Sequence, residues 1–269
     1  MVLKYLTHYP IFLLLVIFIS LIQLPPIIGA PNVGANWDWQ LSVEQIKPPK
    51  EIKAFGTDPE NVTREEIIAL NESGIYTICY VSVGTLEDWR SDASVFYDKN
   101  IFPSKLVGKS YDGWEGEYFL DITQENLRLI MQKRFKDCVA KGFLAIEPDN
   151  MDVYINDSGF DISKKQTLKY IRTLAKDAHN MGLEIGQKNV PELTDELVGI
   201  LDFIITESCY QDGWCDDVLP YIKANKPIFD AEYNDIEIDF KAACTYAKKH
   251  KISMILKDRE LTHDYKSCL

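Results

Sequence analysis

The chain has 269 residues, 46% apolar and 26% charged, with 29 Lys and Arg against 41 Asp and Glu for a formal charge of -12. These proportions exclude a disordered tail, a collagen-like fibre and a multi-span membrane protein. An acidic surface repels phosphate backbones, so no nucleic-acid partner is expected and a neutral or cationic one fits better.

Residues 1–30 read as a secretory signal. Lys4 is followed by the apolar run IFLLLVIFISLI, then by Pro25-Pro26, and Gly29-Ala30 offers small residues for cleavage. The run is too short for a comfortable span, which needs about 20 residues, and no basic stop-transfer cluster follows. An uncleaved anchor is the alternative. Residues 31–269 carry no repeat, linker or low-complexity tract and read as one domain. The expectation is a secreted, extracellular monomer with no stable membrane association after signal cleavage.

Three sequons, at Asn61, Asn71 and Asn156, fit export. So do six cysteines, all beyond the leader, an even number suited to an oxidising compartment. Cys209 and Cys215 close the short loop YQDGW and are expected to form a disulfide. Cys79 with Cys138 and Cys244 with Cys268 is one pairing of the rest. Buried free thiols are the alternative for Cys79 and Cys138. The four histidines form no ligand cluster, so neither a metal site nor a cofactor is expected.

Beyond the leader, short apolar runs alternate with longer amphipathic ones. Strands are predicted over 36–41, 52–55, 76–83, 143–147, 183–187, 202–206, 227–231 and 253–256. Helices are predicted over 63–73, 124–141, 163–181, 191–201, 216–224 and 239–250. Thr63 and Glu66 form a Thr-x-x-Glu capping box. Gly74, Gly142 and Gly182 each follow a helix and precede a strand, where a left-handed residue is wanted. Strands alternating with helices imply parallel β/α units, and eight of them imply a closed (β/α)₈ TIM-like barrel. One long βα loop follows the third strand, over 84–122. It holds Trp89, Tyr111, Trp114 and Tyr118, and 118–120 reads as an extra short strand. Such a loop commonly lines a site.

In these barrels the reactive groups stand at the C-terminal ends of the strands. Here that rim receives Trp37 and Trp39 from the first strand and Ser82 from the third. The fourth contributes Glu147, Asp149, Asn150 and Asp152. Gln187, Lys188 and Asn189 follow the fifth strand, Glu207 the sixth, and Asp230, Glu232 and Tyr233 the seventh. Acids and aromatics therefore crowd one rim. Glycoside cleavage needs two carboxyl groups flanking the bond, and aromatic faces pack on sugar rings. A chain this acidic must also expose carboxylates without purpose, so any single one carries little weight. Neither a Gly-x-Ser-x-Gly elbow nor a phosphate-binding Gly-rich loop is present.

The segments ANWDWQLS, ICYVSVGTLEDWRSD, GWEGEYFLDI, GFLAIEPDNMDVY, GLEIGQKN, DFIITESCYQDGWC and KPIFDAEY, in this order, resemble glycoside hydrolase family 114. That family contains the endo-α-1,4-polygalactosaminidases. The most specific pieces are EPDN-x-D-x-Y and the Glu-x-Cys-Tyr…Cys segment. The resemblance implies a (β/α)₈ barrel and internal cleavage of α-1,4-linked galactosamine polymers of the galactosaminogalactan kind. It implies Asp149 and Glu207 as the catalytic pair, with Asp149 as nucleophile and Glu207 as general acid/base. It implies substrate-contacting or pKa-tuning roles for Glu147, Asp152, Lys188, Asn189 and Glu232. Trp39, Tyr80, Ser82, Asn150 and Tyr154 complete the expected substrate-binding set. One departure is FLA before the EPDN motif, where the family has small or acidic residues such as CDG. Phe143 thus stands where a Cys is expected, which bears on the pairing of Cys138.

A deacetylated galactosamine polymer is a polycation, and a -12 protein would attract it. A retaining mechanism requires Glu207 to hold a proton, so its pKa is expected to be raised, with Glu232 supplying nearby charge and Lys188 keeping Asp149 ionised. Two other readings stay open: a catalytically inactive carbohydrate-binding barrel, and a hydrolase of a neutral or N-acetylated α-linked polysaccharide.

Overall fold

The computed structural model describes residues 29–269. The expected signal segment lies outside the described residues, apart from Gly29 and Ala30. In chain order the first three strands are β1 (Trp37–Gln40), β2 (Ala54–Thr57) and β3 (Tyr76–Ser82). An insertion then holds β4 (Thr85–Glu87), β5 (Val107–Ser110) and β6 (Glu117–Leu120). The chain returns to the central sheet with β7 (Ala145–Asp149), β8 (Glu184–Lys188), β9 (Phe203–Glu207), β10 (Ile228–Tyr233) and β11 (Ser253–Lys257), and ends in β12 (Lys266–Ser267). The central order is β1-β2-β3-β7-β8-β9-β10-β11, parallel throughout, with β12 antiparallel on β11. Outside it pack α1 (Arg64–Glu72), α2 (Leu127–Lys141), α3 (Lys164–Asn180), α4 (Thr194–Leu197), α5 (Pro220–Lys223) and α6 (Phe240–His250). This is the TIM-like α/β barrel expected from the alternation.

The seam of the barrel is made by side chains. No main-chain ladder joins β11 to β1 among the described residues, because β12 pairs with β11 at Ile255 and Leu256. Instead Trp37 Nε1 donates to the Ser253 carbonyl at 2.7 Å, and Lys257 Nζ meets Asp38 Oδ1 at 2.9 Å. Both members of that ion pair are fully buried.

Successive side chains on a strand point to opposite faces, and this sorts the core. Trp37, Trp39, Tyr76, Ile78, Ala145, Phe203, Ile205, Phe229, Ala231 and Tyr233 fill the barrel interior as one cluster. Their neighbours of opposite parity pack outward under the helices. Strand β2 runs two residues later than predicted, through Gly56. A Cβ at Gly56 would lie 2.8 Å from Trp39 Cδ1, so the indole on the barrel floor needs a glycine beside it.

The caps form as read. Thr63 and Glu66 exchange the two capping-box bonds at 3.3 and 2.8 Å, and Gly74, Gly142 and Gly182 all have positive φ. Two predicted helices are shorter. The 191–201 helix is a 3₁₀ turn, Pro191–Leu193, followed by α4. The 216–224 helix is broken into Cys215–Val218 and α5 at Pro220, which lacks the N–H that a continuous helix would use.

All three disulfides form: Cys79–Cys138, Cys209–Cys215 and Cys244–Cys268, with Cα–Cα distances of 6.2, 4.7 and 4.9 Å. Phe143 in place of a Cys therefore leaves Cys138 free to tie α2 to β3. That bond closes a 59-residue separation, for which loop-closure entropy gives about 4 kcal/mol. Replacing Cys79 and Cys138 by Ala and Val should lower the melting temperature by about 8–16 °C in a calorimetric scan. An unchanged midpoint would show that the crosslink does not constrain the unfolded chain.

Candidate active site

Three adjacent parallel strands end on charged side chains expected at the site: β7 on Asp149, β8 on Lys188 and β9 on Glu207. Each is followed at once by a residue in the left-handed region: Asn150 at φ 61°, Asn189 at φ 48° and Ser208 at φ 55°. Asparagine tolerates this conformation through its short polar side chain. The turn after β7 also needs a bare partner, since a Cβ on Gly84 would lie 1.8 Å from the Asn150 carbonyl oxygen. The strands are thus stopped abruptly, and their last side chains converge over the barrel mouth.

There they line an open cleft of about 630 Å³. Its wall includes Trp39, Tyr80, Asp149, Asn150, Asp152, Lys188, Asn189 and Glu207, all expected from the sequence. Lys188 sits at the centre. Its ammonium meets Asp149 Oδ1 at 2.8 Å, Glu207 Oε2 at 3.1 Å and Glu147 Oε1 at 3.2 Å, and lies 4.6 Å from the centre of the Trp39 ring. Tyr80 donates its hydroxyl to Asp149 Oδ2 at 3.0 Å. Asn189 clasps Glu207: its amide donates to Oε2 at 3.0 Å, and its carbonyl oxygen accepts from the Glu207 N–H at 2.9 Å. Tyr233 donates to the other oxygen, Oε1, and Arg259 stacks 3.7 Å from the Tyr233 ring centre.

One ammonium faces three carboxyls, and they do not share it equally. Glu147 is fully buried beneath the cleft, and among the described residues its Oε2 finds no hydrogen-bond partner. Burial pushes its pKa to about 8 against the pull of Lys188, so Glu147 is predominantly the neutral acid at pH 7. Burial also opposes ionisation of Glu207, but Lys188, Tyr233 and Asn189 outweigh it and hold this carboxyl below its ordinary value. The expected upward shift of Glu207 is therefore corrected for the free protein: its hydrogen bonds all favour the charged form. For Lys188, three carboxyls overcome the burial penalty and raise its pKa well above the usual range.

Four residues expected to contact substrate lie outside the cleft wall. Glu147 is the buried acid just described. Ser82 is buried and accepts from the Asn150 amide at 3.0 Å, bracing the turn after β7. Tyr154 faces away and donates to Glu192. Glu232 has the parity opposite to Tyr233 and faces outward, where it accepts from the backbone N–H groups of Tyr210 and Gln211 at 2.7 and 3.2 Å. It anchors the loop closed by Cys209–Cys215 and cannot supply charge to the cleft in the manner expected. Conversely, the wall includes Tyr233 and Tyr111, placed on the rim and in the long loop but given no substrate role from the sequence, and Glu117 and Arg259, which the sequence did not single out. Tyr233 was within reach of the parity argument. Glu117 was not, because it belongs to the insertion.

That insertion, the long segment after β3, folds as a separate antiparallel sheet of order β4-β6-β5 against the barrel mouth. It brings Trp89, Tyr111 and Trp114 to the cleft, and the two indoles remain 55% and 47% exposed. Exposed aromatic faces along an acidic groove suit a ligand with apolar C–H patches.

The profile of glycoside-hydrolase family GH114 matches residues 23–269. Ega3 of Aspergillus fumigatus, whose crystal structure is of a complex with galactosamine, is 28% identical and superposes with a TM-score of 0.81 over 89% of this chain and 97% of that one. The glycoside hydrolase domain of PelA from Pseudomonas aeruginosa shares the fold, with a TM-score of 0.63 at 14% identity over 86% of this chain and 98% of that one. An uncharacterised protein of Methanocaldococcus jannaschii is 27% identical over 132 residues, 46% of this chain. The match spans 37% of that relative's length.

Proposed function

Since the chain belongs to glycoside-hydrolase family GH114, we propose that it is a secreted enzyme that cuts α-1,4-linked galactosamine polymers internally, with Asp149 and Glu207 as its carboxylate pair. The observation that carries this reading is the position of both carboxylates on one ammonium. Asp149 Oδ1 and Glu207 Oε2 lie 2.8 and 3.1 Å from Lys188 Nζ, so these two oxygens can be no more than about 6 Å apart. Inverting glycosidases hold their carboxyls about 6.5–9.5 Å apart to admit a water, and retaining ones about 5–5.5 Å. This places both carboxyls within reach of one glycosidic bond, and retention follows from the family resemblance that makes Asp149 the nucleophile.

In that mechanism Asp149 attacks the anomeric carbon while Glu207 gives its proton to the leaving oxygen, forming a glycosyl–Asp149 ester. Glu207 then takes a proton from the water that opens the ester. Lys188 has a different consequence at each stage. Before reaction its charge is divided between Asp149 and Glu207. Once Asp149 is esterified and neutral, the ammonium stays beside Glu207 alone and favours the ionised form that a general base requires. In the first step the arriving sugar displaces water from Glu207, and that desolvation works in the direction of protonation.

Charge supports a cationic substrate. With Glu147 predominantly neutral, one ammonium faces the two carboxyls of the pair, and Asp152 and Glu117 add further acids to the wall. Trp89 and Trp114 line the same cleft and stay half exposed, so their indole faces offer stacking surfaces for sugar rings. Three disulfides and the apolar leader support export. Among the described residues no helix is long and apolar enough to cross a membrane.

The test is incubation with purified galactosaminogalactan before and after deacetylation, with products sized by mass spectrometry. Short oligomers should appear from the deacetylated polymer, faster at low salt, because exposed charge pairs are screened over about 8–10 Å near physiological ionic strength. Equal rates on both polymers without salt dependence would favour a neutral or N-acetylated substrate. Binding without any cleavage would favour an inactive carbohydrate-binding barrel.

A further inference from the structure

We propose that Glu117 is the receptor for a substrate ammonium group and so selects amino sugars over N-acetylated ones; this rests on the galactosamine reading above. Glu117 stands at the start of β6 and faces Glu87 directly across the β4–β6 ladder. Like charges at opposed positions destabilise a sheet. Glu87 is neutralised by Arg90, which donates to both its oxygens at 2.7 and 2.8 Å. Glu117 has no such partner: among the described residues no basic group comes within 4.0 Å of it. Yet it is only 5% exposed and lines the cleft.

Its geometry is that of a held acceptor. Oε1 accepts from Thr85 Oγ1 and from the Asn150 amide at 2.9 Å. Asn150 is itself fixed on Ser82 and Thr85 at 3.0 and 2.9 Å. Both bonds fall on one oxygen, and among the described residues Oε2 has no partner. Asn150 directly follows Asp149, so the turn that presents the proposed nucleophile also orients Glu117. A cavity-lining carboxyl with one oxygen anchored and one free, deprived of a cation that its cross-strand neighbour possesses, is a site built for a small cationic donor. A primary ammonium fits it. An acetamido group brings no charge and adds bulk.

Burial, offset in part by the Thr85 and Asn150 bonds and reinforced by Asp149 and Glu87, raises the Glu117 pKa to about 7. The charged groups facing it are Asp149 from β7 and Glu87 from β4, with Arg90 engaged by Glu87; the Tyr80 and Tyr111 hydroxyls nearby are neutral. An arriving ammonium lowers that pKa, so binding of the amine and ionisation of Glu117 favour each other.

Glu117→Gln is the informative variant, because its amide oxygen can still accept from Thr85 and Asn150 while the charge is lost. The kinetics of wild type and variant are compared on deacetylated and fully N-acetylated polymer. The expected result is a rise in KM for the deacetylated polymer of about 10- to 100-fold, the range for a charge-assisted hydrogen bond. Little change is expected in kcat or on the N-acetylated polymer. A fall in kcat with KM unmoved, or equal losses on both polymers, would overturn the proposal, since Glu117 would then serve the chemistry or the turn. An unchanged KM on the deacetylated polymer would also overturn it. A wild-type protein that leaves the deacetylated polymer intact would instead sink the functional reading on which the proposal rests.

Discussion

Replacing Asp149 by Asn or Glu207 by Gln should abolish turnover while leaving the fold and polymer binding in place. Both side chains end strands at the cleft, and the amides are nearly isosteric with the carboxyls. Loss of a positioned acid/base costs about 10²- to 10⁴-fold, so the Glu207 variant should fall by at least that in kcat. The Asp149 variant should fall further, because no covalent ester can form. The first-formed sugar end, followed by NMR during the reaction, should keep the α configuration of the substrate. Appearance of the β anomer first would show inversion and overturn the role of Asp149 as nucleophile. Near-native activity in either variant would transfer its role to Asp152, which also lines the cleft.

Replacing Lys188 by Met should produce the other large effect, with separate consequences for stability, pH dependence and rate. Lys188 is 3% exposed and makes close contacts with three carboxyls, two of them the pair Asp149 and Glu207. Removing one partner from a buried ion-pair network typically costs about 3–5 kcal/mol. The sign of the pH dependence follows from Glu207. Its folded-state pKa lies below the ordinary 4.5, so its contribution to stability is present above that pH and is lost as pH falls through the depressed value. Without Lys188 this contribution shrinks, and the variant should lose most stability at neutral pH and least in acid. The alkaline limb of the rate profile should also move to higher pH, because the strongest influence keeping Glu207 charged is gone. Chemical denaturation across pH and a pH–rate profile check the two claims. A loss of stability independent of pH would show that Lys188 acts by packing alone.

Much of the site was legible because the barrel rule converts chain position into place. Once the strand ending near Glu147 was recognised, Asp149 and Asn150 had to fall on the rim, and the same reasoning placed Lys188 and Glu207. Where it failed, the failure was one of parity. Glu232 and Tyr233 are consecutive, and only one can face the interior. The strand reaches Tyr233, two residues beyond its predicted end, and Phe229, Ala231 and Tyr233 face inward. Ser82 and Tyr154 failed for another reason. Their motifs are adjacent to the site, but hydrogen bonds to distant segments, Asn150 for Ser82 and Glu192 for Tyr154, engage them elsewhere.

The amino-acid sequence by itself determined the alternation of strands and helices, the helix caps, the Cys209–Cys215 loop and the identity of the carboxylates at the rim. Periodicity, capping chemistry and strand-end position are local or near-local properties, so a single chain suffices to read them. Only the tertiary structure decided how the charges are apportioned. That Lys188 stands between Asp149 and Glu207, that Glu147 lies buried beneath them with its pKa pushed up, and that β6 carries Glu117 across from an Arg-paired Glu87 follow from proximity between segments far apart in the chain. Electrostatic energies vary with distance and burial, and neither can be read from the order of residues.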